Sequence, residues 1–63
     1  MKQTFTMFIY KTDRRCKSGE RTVSTTVWQN RDDAGMRREA QELSYMFPAK
    51  EGFRFEWFPV QSF

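Results

Sequence analysis

Three segments of the chain alternate apolar with polar side chains, and this period of two residues predicts strands that bury one face. They span residues 4–11, 21–29 and 53–58. The second is rich in β-branched threonine and valine, which favour extended backbone. A polar segment with the turn signal Ser18-Gly19 separates the first two strands, which predicts a hairpin. The apolar side of the first strand consists of Phe5, Met7 and Ile9.

Between the second and third strands, apolar residues recur at the spacing of a helix that packs by one side. They are Met36, Ala40, Leu43 and Phe47. Asn30 is the predicted N-cap, two aspartates fall in the first turn, and Pro48 predicts the end. We therefore expect a helix over residues 31–47. Gly35 lies inside it, and only a close approach to the sheet would explain a glycine there.

The element order of strand, strand, helix and strand predicts a single ββαβ domain of the α+β class over residues 1–63. A right-handed crossover through the helix places the third strand beside the first, which gives a three-stranded antiparallel sheet of order 2-1-3. The single helix would cover one face of this sheet. The other face would be left to solvent or to a partner.

The pairing register of the hairpin decides which side chains lie under the helix, because a shift of one residue exchanges the two faces. We expect the most apolar face to be the buried one. It would combine the apolar side of the first strand with Val23, Thr25 and Val27. The open face would carry four aromatic residues, namely Phe8, Tyr10, Trp28 and Phe58. Its other members would be Thr4, Thr6, Ser24, Thr26 and Arg54.

Composition argues against most catalytic and metal-binding chemistry. The 63 residues contain no histidine and one cysteine, Cys16, so neither an internal disulfide nor a histidine-assisted nucleophile can form. A structural zinc site needs about four ligands, mostly of these two types. Neither a nucleotide-binding motif nor a dense carboxylate cluster is present in the sequence. We expect a protein that is not an enzyme and that uses no cofactor and no metal.

Hydropathy and charge bear on the cellular location of the protein and on the class of its partner. It has no apolar run long enough to cross a bilayer, and its first residues lack the apolar stretch of a signal peptide. We expect a cytoplasmic protein without membrane contact. Eleven basic and eight acidic residues give a net charge of +3, which permits nucleic-acid binding without requiring it.

Two features are candidates for binding. The hairpin loop and its flanks concentrate cations that could lie along phosphates or only keep a turn solvated. These cations are Lys11, Arg14, Arg15, Lys17 and Arg21. The aromatic open face has the composition of a protein-interface hot spot. The same rings could stack unpaired bases or form half of a homodimer core.

Four stretches of the sequence resemble small uncharacterised proteins from the early regions of lambda-like phages and prophages. They are Tyr-Lys-Thr-Asp-Arg-Arg at 10–15, Gly-Glu-Arg at 19–21, Val-Ser-Thr-Thr-Val-Trp at 23–28 and Met-Arg-Arg-Glu at 36–39. The likeness covers most of the chain and implies no catalytic or ligand-binding residues. Small phage early proteins often act one-to-one on host nucleases, polymerases or defence complexes, so the resemblance implies a role of that kind.

We therefore predict a regulator or inhibitor, for example of the anti-defence type, that binds a host protein or complex stoichiometrically. The predicted buried anchors are Trp28, Tyr10 and Phe8, with Phe58 on the same face. The predicted partners of acidic groups on the target are Arg14, Arg15 and Arg54. The moderate net charge and the eight acidic residues favour a protein partner over a nucleic acid.

The alternative is a small nucleic-acid-binding module built from the same surface. The aromatic residues of the open face would then stack bases. The residues that would hold phosphates are Arg14, Arg15, Lys17 and Arg21. A homodimer that joins two open faces is also compatible with the sequence.

Overall fold

The structure, a computed structural model, describes residues 2–60, so the predicted domain span of 1–63 includes four positions outside the described residues. Three strands and one α-helix make up the fold. They are β1 (Gln3–Thr12), β2 (Glu20–Arg31), α1 (Asp33–Leu43) and β3 (Phe53–Pro59), with a short 3-10 helix (Ala49–Glu51) before β3. The sheet is antiparallel with the order β2-β1-β3, which confirms the predicted ββαβ topology. Its principal dimensions are 37 × 28 × 12 Å.

The register between β1 and β2 differs from the prediction, and a bulge is the reason. Near the hairpin loop Thr12 lies opposite Glu20, and continuing that register would set Val27 opposite Phe5, as we expected. Instead, the register shifts between Ile9 and Tyr10. The shift adds one residue to β2 and brings Trp28 opposite Phe5. The prediction that Val23, Thr25 and Val27 pair under the helix with the apolar side of β1 is therefore wrong.

The core forms between α1 and one face of the sheet. Five of the described residues are buried: Phe5, Met7, Ile9, Met36 and Ala40. Four partly buried side chains pack against this group, and they are Trp28, Leu43, Phe55 and Trp57. Met36 and Ala40, four residues apart, thus face the core as the sequence predicted. The Trp57 Nε1–H also donates to Asp33 Oδ1 at 3.0 Å, which ties β3 to the first turn of the helix.

The N-cap of α1 is Asp32 and not the predicted Asn30. Asn30 adopts a positive φ of 60°, a conformation that asparagine tolerates better than most residues. The Asp32 Oδ1 accepts the Gly35 N–H at 2.7 Å. A Cβ on Gly35 would lie 3.1 Å from that oxygen. The glycine therefore leaves room for the capping carboxylate, and the expected close approach to the sheet is not the cause.

The helix ends at Leu43, four residues before the predicted end. The Ser44 N–H is shared between the carbonyls of Ala40 and Gln41, and its hydroxyl donates to the Gln41 carbonyl. A turn follows, and Phe47 packs edge-on against Phe53 with ring centroids 5.2 Å apart. Phe47 thus keeps an apolar contact from outside the helix. Within residues 2–60, no helix is long and apolar enough to span a membrane.

Replacing Asp32 with alanine should lower the thermal midpoint by several degrees, because the Gly35 N–H loses its partner. The same hydrogen bond lowers the pKa of Asp32 below its ordinary value. The stabilisation is therefore complete above that ordinary value and disappears as the pH falls through the lowered pKa. The Asp32→Asn variant can still cap and serves as the control. Equal midpoints for wild type and Asp32→Ala at pH 7 would contradict this role.

Candidate functional site

The sheet face opposite α1, here called the open face, carries side chains from all three strands. Residues that pair across the strands on this face are Thr6, Phe8 and Tyr10 on β1, Thr22, Thr25 and Val27 on β2, and Arg54, Glu56 and Phe58 on β3. The predicted placement of Phe8, Tyr10, Phe58 and Arg54 on this face is confirmed. Val27 was expected under the helix but is 59% exposed here.

Three aromatic rings form a continuous row on the open face. Phe8 and Tyr10 alternate along β1 and stack with centroids 6.1 Å apart and planes inclined by 20°. Phe58 reaches Phe8 diagonally from β3, with centroids 6.2 Å apart and planes inclined by 59°. Phe58 is 51% exposed at the end of the row. The row is thus a pre-arranged apolar surface whose outer ring is accessible.

An ionic cluster closes the other end of the row. The Arg54 guanidinium lies over the Tyr10 ring, 4.6 Å from its centroid. Its Nε and one Nη donate to the two carboxylate oxygens of Glu20, each at 2.8 Å, and its other Nη donates to Glu56. This bidentate pairing orients the guanidinium on the ring.

The ion pairs of this cluster affect the predicted role of Arg54 in binding a target. The hydrogen bonds from Arg54 lower the pKa of Glu20, and the two carboxylates raise that of Arg54. Two carboxylates against one guanidinium leave the cluster with a net charge of −1. We predicted that Arg54 pairs with acidic groups of a target. In the structure its guanidinium already pairs with two carboxylates of this chain, those of Glu20 and Glu56. Glu20 and Glu56 belong to this surface, although neither was among the predicted binding residues.

Trp28 lies on the helix side of the sheet, so its predicted place among the open-face anchors is wrong. It stands opposite Phe5, packs against the core and is covered by the Arg31 guanidinium, 5.6 Å from the ring. Its Nε1 is buried and has no hydrogen-bond partner among residues 2–60. The cause is the bulge described above, which moves residues 24–28 of β2, Ser24 and Thr26 among them, to the face opposite to the predicted one.

The basic loop is an ordered turn that starts from Asp13. The Asp13 N–H donates to the Gly19 carbonyl at 2.8 Å, and its Oδ1 accepts the Arg15 N–H at 2.9 Å. Its other carboxylate oxygen lies 3.6 Å from Arg21 Nε, so Arg21 is engaged within the loop. Three exposed cations remain on the turn, namely Arg14, Arg15 and Lys17. In the described part of the chain none of the three forms an ion pair.

The site combines apolar, ionic and cationic parts. Over residues 2–60 no group of three or more acidic or cysteine side chains is placed to hold a metal ion. What the strands do assemble is an aromatic row, a fixed ionic cluster and, beyond it, a cationic turn. Comparison with known proteins found no matching family model, no similar curated protein and no similar solved structure.

Proposed function

We propose that this protein is a non-catalytic regulator that binds a partner protein through its open face. The observation that carries the proposal is the row of Phe8, Tyr10 and Phe58, held in mutual contact on a sheet face that α1 does not cover. Aromatic side chains supply large contact areas at low entropic cost and dominate interface hot spots. Val27 widens the apolar surface on the opposite strand.

The size of the open face suits a partner of ordinary interface dimensions. The two larger dimensions of the molecule, 37 and 28 Å, limit the outline of the open face to roughly 1000 Å², and a standard interface takes about 800 Å² from each partner. The rings would lie near the centre, and the rim would be polar. Arg14, Arg15 and Lys17 at the loop would contact acidic groups at that rim.

The charges on the open face favour a protein over a nucleic acid. A strand of nucleic acid stacked on the rings would bring phosphates close to Glu20 and Glu56, and like charges repel. Arg54, the cation nearest to the rings, already pairs with both carboxylates. The free cations lie at the loop, away from the Phe58 end of the row. We therefore place nucleic-acid binding second.

The resemblance to phage early proteins suggests who the partner is. We propose a host protein or complex in the bacterial cytoplasm, bound one-to-one, so that the protein inhibits or redirects it by occupying its surface. Such a mode of action needs neither turnover nor a cofactor. A sheet face of this breadth suits the exposed surface of a folded target better than a small molecule.

Replacing Phe58 with serine should weaken partner binding by about 30-fold, a loss typical of hot-spot residues. The partner would be isolated from a lysate of the host on the immobilised protein and purified, and its affinity and stoichiometry would then be titrated. Tyr45→Ser is the matched control, because Tyr45 is 87% exposed and lies beyond the end of α1. Equal affinities of the two variants would contradict the proposed face, and so would a ratio other than 1:1.

The salt dependence of binding tests the second hypothesis, that the protein binds nucleic acid. Binding to single- and double-stranded DNA and RNA would be compared at about 50 and 200 mM salt, where a protein with several phosphate contacts weakens steeply. The triple variant with serine at 14, 15 and 17 removes the free cations of the loop. Tight, salt-dependent binding that this variant loses would replace the protein partner by a nucleic acid.

A further inference from the structure

The outer edge of β2 is an unpaired backbone ladder. The sheet order β2-β1-β3 gives β2 one neighbour, although at 12 residues it is the longest strand of the sheet. Every second N–H and C=O group of an edge strand points away from the sheet. In the described part of the chain, residues 22–28 form no backbone hydrogen bond outside the ladder with β1 and accept none from a side chain. A free edge of this kind is a template for another strand.

The two edges of this sheet differ in how they are protected. β3 has seven residues, carries Arg54 and Glu56 and ends at Pro59, all features that discourage further pairing. Residues 22–28 of β2 include no charged residue, no proline and no glycine, and five of the seven are β-branched. The protective feature within residues 22–28 is the bulge at Val23, which lies at one end, and a second register shift follows near Asn30. The β2 edge is therefore the one open to a partner strand.

The helix also leaves the middle of β2, at Thr26, uncovered. Thr26 lies opposite Met7 on the helix side, yet Met7 is 1% exposed whereas Thr26 is exposed. A strand added beside β2 would meet no covering element at this position. Its side chains would lie beside Thr26 on one face and beside Thr25 and Val27 on the other.

We propose that two copies of this chain pair antiparallel along β2 and form a continuous six-stranded sheet. The regular stretch of β2 is Ser24–Trp28, because the register shifts at Val23 and again near Asn30. Its midpoint is Thr26. A two-fold axis there sets Thr26 opposite itself and Thr25 opposite Val27 of the second copy.

A second copy suits this edge because no charges of the regular stretch face each other in the pair. Residues 24–28 are all uncharged, so two molecules that each carry a net charge of +3 meet without like charges opposed within this stretch. The backbone ladder supplies the affinity, and Thr25–Val27 pairs on the open face supply the register. The dimer would extend the open face across both copies and would not cover it.

Sedimentation of the full chain tests the pairing directly. We expect a concentration-dependent species of twice 7.7 kDa. Thr26→Lys and Thr26→Glu should each weaken self-association at least about 10-fold, because identical charges would face each other at the two-fold axis. An equimolar mixture of the two variants should restore the dimer, since opposite charges then meet. Thr26 is exposed, so both variants should keep the circular dichroism of the folded chain.

Two outcomes would overturn the pairing. One is a monomer up to about 1 mM, and the other is a dimer that the separate Thr26 variants leave intact or that their mixture does not restore. Phe58→Ser, which lies on the opposite edge strand, separates this inference from the proposed function. It should weaken partner binding but leave self-association unchanged. Loss of the dimer in Phe58→Ser would instead indicate contact between two open faces.

Discussion

The Met36→Ala variant is expected to be largely unfolded at 25 °C. Met36 is fully buried, at 0% exposure, and it is one of two buried side chains by which α1 meets the sheet. Truncation of a buried methionine to alanine costs about 2–5 kcal/mol. A domain of this size has only roughly 3–5 kcal/mol of net stability from its core. Because about 3–5 kcal/mol is an upper limit for a core of this size, the loss equals most or all of the free energy of unfolding.

A matched substitution isolates the cavity as the cause. Met46→Ala makes the same chemical change at a side chain that is 73% exposed, and it should shift the thermal midpoint by no more than a few degrees. Both variants would be followed by circular dichroism during thermal and urea unfolding. If Met36→Ala melted close to Met46→Ala, the core would not depend on the contact of α1 with the sheet. Met7→Ala, at 1% exposure, should behave like Met36→Ala.

Strand positions and sheet order could be predicted because they depend on local patterns and on handedness. Alternation along β1 places Phe8 and Tyr10 together, and alternation along β3 places Arg54 and Phe58 together. The right-handed crossover then brings β3 beside β1, so these four residues share a face whatever the register of β2. That part of the candidate site follows from the sequence alone.

The faces of residues 24–28 of β2 could not be predicted, because the bulge at Val23 decides them. No residue marks the position where β2 takes up its extra residue, since Val23 is an ordinary strand residue. The hairpin loop sets one register and the core requires the other. The register with the bulge packs the indole of Trp28 against the core and leaves the smaller Val27 exposed. A large aromatic ring removes more apolar surface from water than a valine, which is the physical reason for the outcome.

The end of the helix depends on contacts that are distant in sequence. The apolar spacing of Phe47 fits a longer helix, but in the structure Phe47 meets Phe53 of β3. The residue before a proline is also disfavoured in helical conformation, and Pro48 follows Phe47 directly. The pattern therefore identified an apolar contact correctly and assigned it to the wrong element. The contact of Phe47 with Phe53 thus favours an end of the helix at Leu43 over its continuation to Phe47.

Gly52→Ala is expected to cost about 2–4 kcal/mol, more than the same substitution at Gly19. Gly52 has a φ of 96°, a left-handed conformation that disfavours any side chain. It also lies at the junction where β3 begins, and its carbonyl accepts the Thr12 N–H at 2.9 Å. A Cβ at this position would stand 3.1 Å from Thr12 Oγ1 and 3.3 Å from Thr12 Cβ. The hydroxyl can rotate away, but the Thr12 Cβ is fixed to the backbone of β1.

Gly19 separates the two causes, because it shares the backbone conformation without the crowding. Its φ is 81°, and a Cβ there would meet nothing within 4 Å. Gly19→Ala should therefore show the conformational cost alone, about 1–2 kcal/mol. Urea unfolding of both variants at one temperature gives the difference, which measures the contact between the 3-10 helix junction and the end of β1. Equal losses would mean that β1 moves away freely. In that case the hydrogen bond from Thr12 would not fix the start of β3 or, through it, the placement of Arg54 and Phe58 on the open face.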